Sequence, residues 1–559
     1  LLAANIDFDY GDEDILTNYA EVKTVQGSPC FQVAEAPYRV VVLPPMTNIR
    51  SSTLNLLQKF MEEGGTVVCC HTPPERVDGK LSDYAREVLA DCPLKSCASS
   101  DLPDALDKYR AVSVTGPDGN QLRPTLELLR EDDEAAYLFV CNTGRDFFAD
   151  GEESHRKDKH ISERTEVFPD VRVQGFEGFS GHPLELNPDN GELYEATAEQ
   201  LESGWEIKTS LHKLGSRLFI IPREDADVDR KLPSRGQAED REVQPLGADN
   251  WEYTLSEPNV LVLDHPAYKI GENDWQPPQE ILRVDAKVHE YLDIPQRGGK
   301  MTQPWAQEHS GECKSAPVEL WYSLEVDEFP RLPIYLAIEE PRVFKIEING
   351  TRIDADTDCG WWVDRSLRKL PVDTALLHKG TNEIRLELEY REDFSGLEII
   401  YLLGDFGVRV ENTTVGLCEL PAALTADNWV EQGLPFYSGN ITYRTIINPN
   451  FKDSRQVYLH LPSYAGTAAR ILIDGEEAGI IAWEPNEINL TPYLKSGQQH
   501  ELGIEILGNR RNSHGPLHLS ENQPAWTGAG QFRTEGEEWC EGYNLRPMGL
   551  LAVPKIILK

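Results

Sequence analysis

Long apolar runs are missing from this 559-residue chain. None approaches the roughly 20 residues that a bilayer-spanning helix needs, so no helical membrane span is expected within it. Basic residues are scarce: 54 Lys and Arg stand against 94 Asp and Glu, a formal charge of −40. Such a field repels nucleic acid and anionic membranes, and no basic block interrupts it, so neither is expected as a partner. Cysteine is sparse too, ten residues with no C-x-x-C spacing, which argues against zinc ribbons and thioredoxin-like chemistry. Cys69, Cys70 and Cys141 lie in apolar runs and read as buried thiols. That tilts a soluble protein of unknown compartment towards the cytoplasm over secretion. The first residues, Leu1-Leu2-Ala3-Ala4, carry neither an initiator Met nor a basic leader and read as the middle of a longer chain.

What is present is globular: 40% hydrophobic and 9% aromatic residues, in a length that calls for three to five domains. Residues 1 to about 115 carry the α/β signal. A buried strand at 38–43 precedes a helical pattern at 51–63, with Leu54, Leu57 and Met61 on one face and Gly64-Gly65 as a stop. A second strand (66–70) and a second helix (81–90) complete a βαβ unit. Short strands at 125–130, 136–142 and 217–221 then suggest a β-sandwich, and the charged stretch 223–247 reads as a linker.

The second half is organised by a repeat. Alternating apolar residues run into Asn349-Gly350 and again into Asp474-Gly475, the pairs that tight hairpins with positive φ prefer. A second alternating strand follows Lys379-Gly380 in one copy and Ser496-Gly497 in the other. Period-two burial then places Ile346, Ile348, Ile471 and Ile473 in the cores. Loops between the halves carry Trp361-Trp362 and Trp483.

This repeat, with the opening strand at 436–444, resembles the sugar-binding jelly roll of family 2-type glycoside hydrolases. The stretches 44–50, 404–407, 511–516 and 526–528 resemble α-L-rhamnosidases of glycoside hydrolase family 106, in the part that follows their catalytic barrel. The first domain is similar to the glutamine-amidotransferase-like domain found after the barrel in several glycosidases. The expected fold is therefore multidomain and mainly β: an α/β amidotransferase-like domain (1–118), a β-sandwich (119–225), a linker (226–249) and two galactose-binding-like jelly rolls (250–410 and 411–559). The resemblance implies the accessory, non-catalytic C-terminal region of a glycoside hydrolase. Its implied partners are the N-terminal barrel of the same polypeptide and a plant-type or microbial glycan. A stand-alone carbohydrate-binding protein and an intact glycosidase with an unrecognised site are the alternatives.

No catalytic residue is expected. Glycoside hydrolysis needs two carboxylates flanking the bond, and in the resembled enzymes they project from a (β/α)8 barrel. Only two segments here have clear helical spacing, and Glu383, Glu387 and Glu389 alternate with apolar neighbours as an outward strand face. Cys69-Cys70-His71 lacks the glycine elbow of a true amidotransferase nucleophile. The candidate carbohydrate contacts are Trp361, Trp362, Asp364, Arg365 and Trp483, because an indole stacks on a sugar's C–H face while polar neighbours take its hydroxyls. Asn512 and His514 join them from the polar 511–516 loop. His514 and His518 are split by Gly515-Pro516 and read as hydrogen-bonding loop residues rather than a zinc pair. Asp354, Asp356 and Asp358 alternate as a candidate structural calcium site, although the EF-hand pattern fails.

Overall fold

β-Branched and aromatic runs become paired strands throughout the computed structural model. It describes all residues except 26, 71, 93, 98–100, 145–163, 189–190, 225–241, 297–312, 330, 453–454, 521–526 and 533. Two compact units result, Leu1–Gln237 and Ala238–Lys559. The protein is mainly β and multidomain, and no (β/α)8 barrel occurs among the described residues. No helix among them is long and apolar enough to cross a membrane.

In the first unit the valine-rich strands Val40–Leu43 and Thr66–Cys70 pair in parallel, with Leu94–Cys97 beyond them. The helix Ser51–Glu62 packs on this sheet through Leu54, Leu57 and Phe60, so Phe60 rather than the partly buried Met61 completes its apolar face. Its stop is steric: a Cβ on Gly65 would sit 2.4 Å from the Phe60 ring. The second helix is shorter than its pattern, Tyr84–Val88. His71 lies outside the described residues, as does most of the charged stretch 223–247. Strand Val112–Thr115, which falls in the expected α/β domain, pairs instead with Phe168–Gly175. It opens a sandwich of a four-stranded and a five-stranded sheet around Leu138, Val173, Ile207 and Phe219.

The second unit holds two β-sandwiches with separate cores. The expected boundaries need correction here. Strand Glu242–Pro245, within the expected linker, pairs with Lys555–Leu558, and Glu252–Leu255 pairs with Ile441–Ile447. Both belong to the second sandwich, so the first is inserted after the second has begun. Thr414–Cys418, expected in the second domain, pairs with Gly407–Glu411 and Ser315–Val326 of the first.

The duplication is direct. Hairpins Lys345–Ile348/Thr351–Ile353 and Ala468–Ile473/Glu476–Ile481 turn at Asn349-Gly350 (φ 46° and 77°) and Asp474-Gly475 (φ 52° and 85°). Each lies beside a long strand, Gly380–Arg391 or His500–Leu507. Ile346, Ile348, Ile471 and Ile473 are all buried, as period two requires. The turns are tied down alike. Asn349 Oδ1 accepts from Glu383 N, and Asp474 Oδ1 accepts from Glu501 N. A buried side chain at the matching strand position then bonds the turn residue: Asn382 to Asn349, and His500 to Asp474. Each also accepts a backbone N–H from the preceding loop, of His378 or Lys495.

Asn382 further donates to the carbonyls of His378 and Gly380. Replacing it with Ala removes four hydrogen bonds around a buried side chain, so Asn382→Ala should cost about 2–3 kcal/mol in urea unfolding of the full chain.

Candidate functional site

After His500–Leu507 the chain leaves the second sandwich and lies across the first. The motif at 511–516 begins this strap, and each of its residues has a structural task. Arg511 folds over Gly515, where a Cβ would stand 2.7 Å from its Cδ. Asn512 exchanges two 2.8 Å hydrogen bonds with the backbone of Arg546. The Ser513 carbonyl accepts from the Tyr401 hydroxyl, and its Oγ lies 2.7 Å from His514 Nδ1. The His514 ring stacks on Tyr401 at 5.3 Å and lies 5.1 Å from Trp362. Arg510 reaches within 5.9 Å of the Trp362 ring and forms a bidentate pair with Glu257. Burial, then the Arg510 charge, pushes His514 down to about 4 against the opposing pull of Asp364, so it is neutral at pH 7.

Further along the strap lies a buried network. Asp264 follows the fully buried strand Asn259–Leu263 and is itself almost inaccessible. His265 Nδ1 lies 2.8 Å from its Oδ1, His518 Nε2 lies 3.0 Å from its Oδ2, and the Tyr543 hydroxyl donates to Oδ1 at 2.6 Å. Burial alone would raise the Asp264 carboxyl, but the two imidazoles outweigh it and hold the group well below the carboxylate range. For His518, burial pulls down while Asp264 and then Glu280 pull up, and the net shift is upward. Glu280 caps the helix Ile281–Leu292 through Leu282 N and Arg283 N. Burial and the Asp264 charge push it up to about 7.

Asp264, His265 and His518 are the set among the described residues whose donor atoms, within 4.8 Å of one another, could gather on a metal ion. The hydrogen bonding favours a network without one. Both Asp264 oxygens already engage His265, His518 and Tyr543, and His265 Nε2, which a metal on Nδ1 would leave protonated, is buried with no acceptor among the described residues.

A groove of about 630 Å³ opens between the two sandwiches, lined in part by Glu257, Asn259, Asp405 and Glu419. The 404–407 motif forms one wall. A Cβ on Gly404 would meet the Phe406 ring at 2.9 Å, and one on Gly407 the Glu419 carbonyl at 2.4 Å. Glu257 joins this groove to Arg510 and hence to Trp362.

No family model matches the chain, and no curated relative does. Among solved structures it is similar to a rhamnosidase from Novosphingobium sp. PP1Y, at 12% identity and a TM-score of 0.45. That likeness covers 97% of this chain and 35% of the rhamnosidase. It is also similar to a β-D-mannosidase from Dictyoglomus thermophilum (14% identity, TM-score 0.18, 47% of this chain and 32% of that one). A β-glucuronidase from Ruminococcus gnavus matches at 14% identity and a TM-score of 0.17, over 25% of this chain and 23% of that one. All three are glycosidases. TM-scores under 0.5 at such identities do not establish a shared fold. The chain spans about a third of the length of the rhamnosidase it matches.

The expected contacts divide. Trp361 is 51% exposed and Trp483 61%, whereas Trp362 is 6% exposed and packs on Tyr401 and His514. Trp362 is thus core, as period two demands of one of the pair. Asn512 is corrected as a contact, because the Arg546 backbone uses both its amide atoms. His514 belongs to the aromatic cluster. Asp364 and Arg365 are exposed beside Trp361, and Asp364 is held low by Ser366, which donates to it through N and Oγ. Trp526, in the motif at 526–528, lies outside the described residues. The candidate calcium ligands do not fit one cation: Asp356 pairs with Arg342 at 3.1 Å and Asp358 with Arg368 at 2.7 Å. Arginine supplies the positive charge there.

Sequence reasoning missed Asp264, Tyr401 and Glu257. One signal was available for Asp264, an acid placed directly after five buried strand residues. A strained turn also marks the site. Val363, between Trp362 and Asp364, has φ 61°, which is rare for a β-branched residue. It turns Trp361 outward while Trp362 stays inside.

Val363→Gly should relieve this strain and stabilise the chain by about 1 kcal/mol in urea unfolding. A second expectation concerns pH. Glu280 has a folded pKa near 7 against 4.5 when free, so its contribution is complete below 4.5 and is lost as pH rises to about 7. The melting temperature of wild type relative to Glu280→Gln should therefore fall between pH 4.5 and 7 and stay level above. A constant difference would show that Glu280 ionises normally.

Proposed function

We propose that the chain is the β-rich accessory region of a glycoside hydrolase resembling the α-L-rhamnosidases, with two jelly-roll-type sandwiches that contact glycan. One observation carries the reading. The 511–516 motif, which bears the rhamnosidase resemblance, closes over Trp362 and leaves Trp361, Asp364 and Arg365 exposed at its edge.

The chemistry suits a neutral sugar. The indole of Trp361 offers a face for pyranose C–H groups, and Asp364, ionised and oriented by Ser366, accepts from hydroxyls. Neutral His514 adds no charge to the wall behind them. A net charge of −40 disfavours anionic polysaccharides. Catalysis is assigned to a barrel elsewhere in the same polypeptide, since no barrel occurs among the described residues.

The full chain should bind a neutral polysaccharide in affinity gels and fail to hydrolyse 4-nitrophenyl α-L-rhamnopyranoside above a buffer blank. Trp361→Ala should weaken binding about fivefold, equivalent to ~1 kcal/mol. Turnover that disappears on replacing a single carboxylate would overturn the accessory reading.

A further inference from the structure

The outward face of the first sandwich carries an aromatic corner. Strands Ser315–Val326 and Gly380–Arg391 pair over their whole lengths, and their residues alternate between core and surface. Leu320, Tyr322, Leu386 and Leu388 point inward. Trp321 points outward and is 40% exposed, an unusual place for so large an apolar side chain. Trp275, from the loop before the helix Ile281–Leu292, is 37% exposed and meets it edge to face, with ring centroids 5.8 Å apart and planes at 77°. The two indoles make an L-shaped corner rather than a plug.

The polar side chains around this corner are already fixed. Arg385, cross-strand from Trp321, sits 5.5 Å over the Trp275 ring and donates from Nη2 to Glu319 at 2.6 Å. Lys269 Nζ holds the other Glu319 oxygen at 3.3 Å. In the next rows Lys345 bridges Glu347 at 2.8 Å and Glu387 at 3.2 Å. Lys269, Arg385 and Lys345 are thus each paired with glutamate beside the corner, and Glu383 and Glu389 add exposed acceptors on the same strand face. The patch offers donors and acceptors, with these cations neutralised.

We propose that the Trp275–Trp321 corner is a glycan-binding site separate from the strap, and that it takes neutral pyranosides. The C–H face of the sugar stacks on one indole while the edge of the other closes the side. Hydroxyls donate to Glu319 and accept from Arg385, both held in place beforehand, so little side-chain entropy is lost. Charge complementarity selects this occupant: cations already neutralised by glutamates, in a chain of charge −40, do not attract an anionic polymer, and the fixed donors and acceptors match a neutral polyol. An apolar protein surface would have to desolvate every one of those charges, whereas sugar hydroxyls keep them hydrogen-bonded. The inference rests on the glycan-contacting reading above and adds a second site to it.

Affinity electrophoresis of the full chain in gels containing arabinogalactan, galactomannan or dextran tests this, with polygalacturonate as the anionic control. Wild type should be retarded by a neutral polymer, and Trp321→Ala or Trp275→Ala should raise the apparent Kd at least tenfold. Glu319→Gln, which keeps the shape, should weaken binding in the same direction and guards against a folding defect in the Trp variants. A Trp361→Ala/Trp483→Ala double variant should keep a measurable part of the binding. If that double variant alone loses binding while Trp321→Ala matches wild type, the corner proposal is overturned and the glycan reading stands. Retardation by polygalacturonate alone overturns the neutral class. No retardation of wild type in any gel overturns both.

Discussion

A carboxylate removed from water needs hydrogen-bond donors, and Asp264 finds three in two distant parts of the chain. His265 is its neighbour, but His518 and Tyr543 arrive on the strap that follows the second sandwich. Removing any one of them leaves a buried charge incompletely bonded, so the strap cannot lift away locally without cost. Everything near the aromatic cluster depends on that anchoring. His514 stacks on Tyr401, Arg510 reaches Glu257, and Trp362 is sealed beneath because the strap is held down.

The two sandwiches show how one plan tolerates different chemistry. Both hold an NG- or DG-type hairpin against a long strand by a side chain that bonds the turn and accepts a loop N–H. In the first copy that group is the Asn382 amide; in the second it is the His500 imidazole beside the Asp474 carboxylate. The geometry is kept while a neutral pair becomes an ionisable one. The exposed surfaces have diverged more freely, since a position facing water carries no packing constraint. Trp361 projects from the short strand Trp361–Trp362, Trp483 from an inter-strand loop, and Trp321 from the sheet face of the first copy.

Aromatic exposure and charge pairing together frame the functional reading. Exposed indoles flanked by ion pairs suit a ligand with both an apolar face and hydroxyls.

Local pattern determined a good deal by itself. Alternating Ile346 and Ile348, or Ile471 and Ile473, can be buried together only in a strand, and Asn-Gly or Asp-Gly accepts the positive φ of a two-residue turn; both are properties of adjacent residues. The parallel pairing of Val40–Leu43 with Thr66–Cys70 followed from the helix between them. Tertiary structure alone decided the rest. Strand Glu242–Pro245 is exposed at every position, so no alternation marks it, and only its backbone pairing with Lys555–Leu558 makes it a strand. Asp264 and His518 stand 254 residues apart, and no local spacing can announce a bond between them. Asn512 looked like a ligand contact for the same reason: a polar loop amide has no visible partner until the fold brings the Arg546 backbone against it.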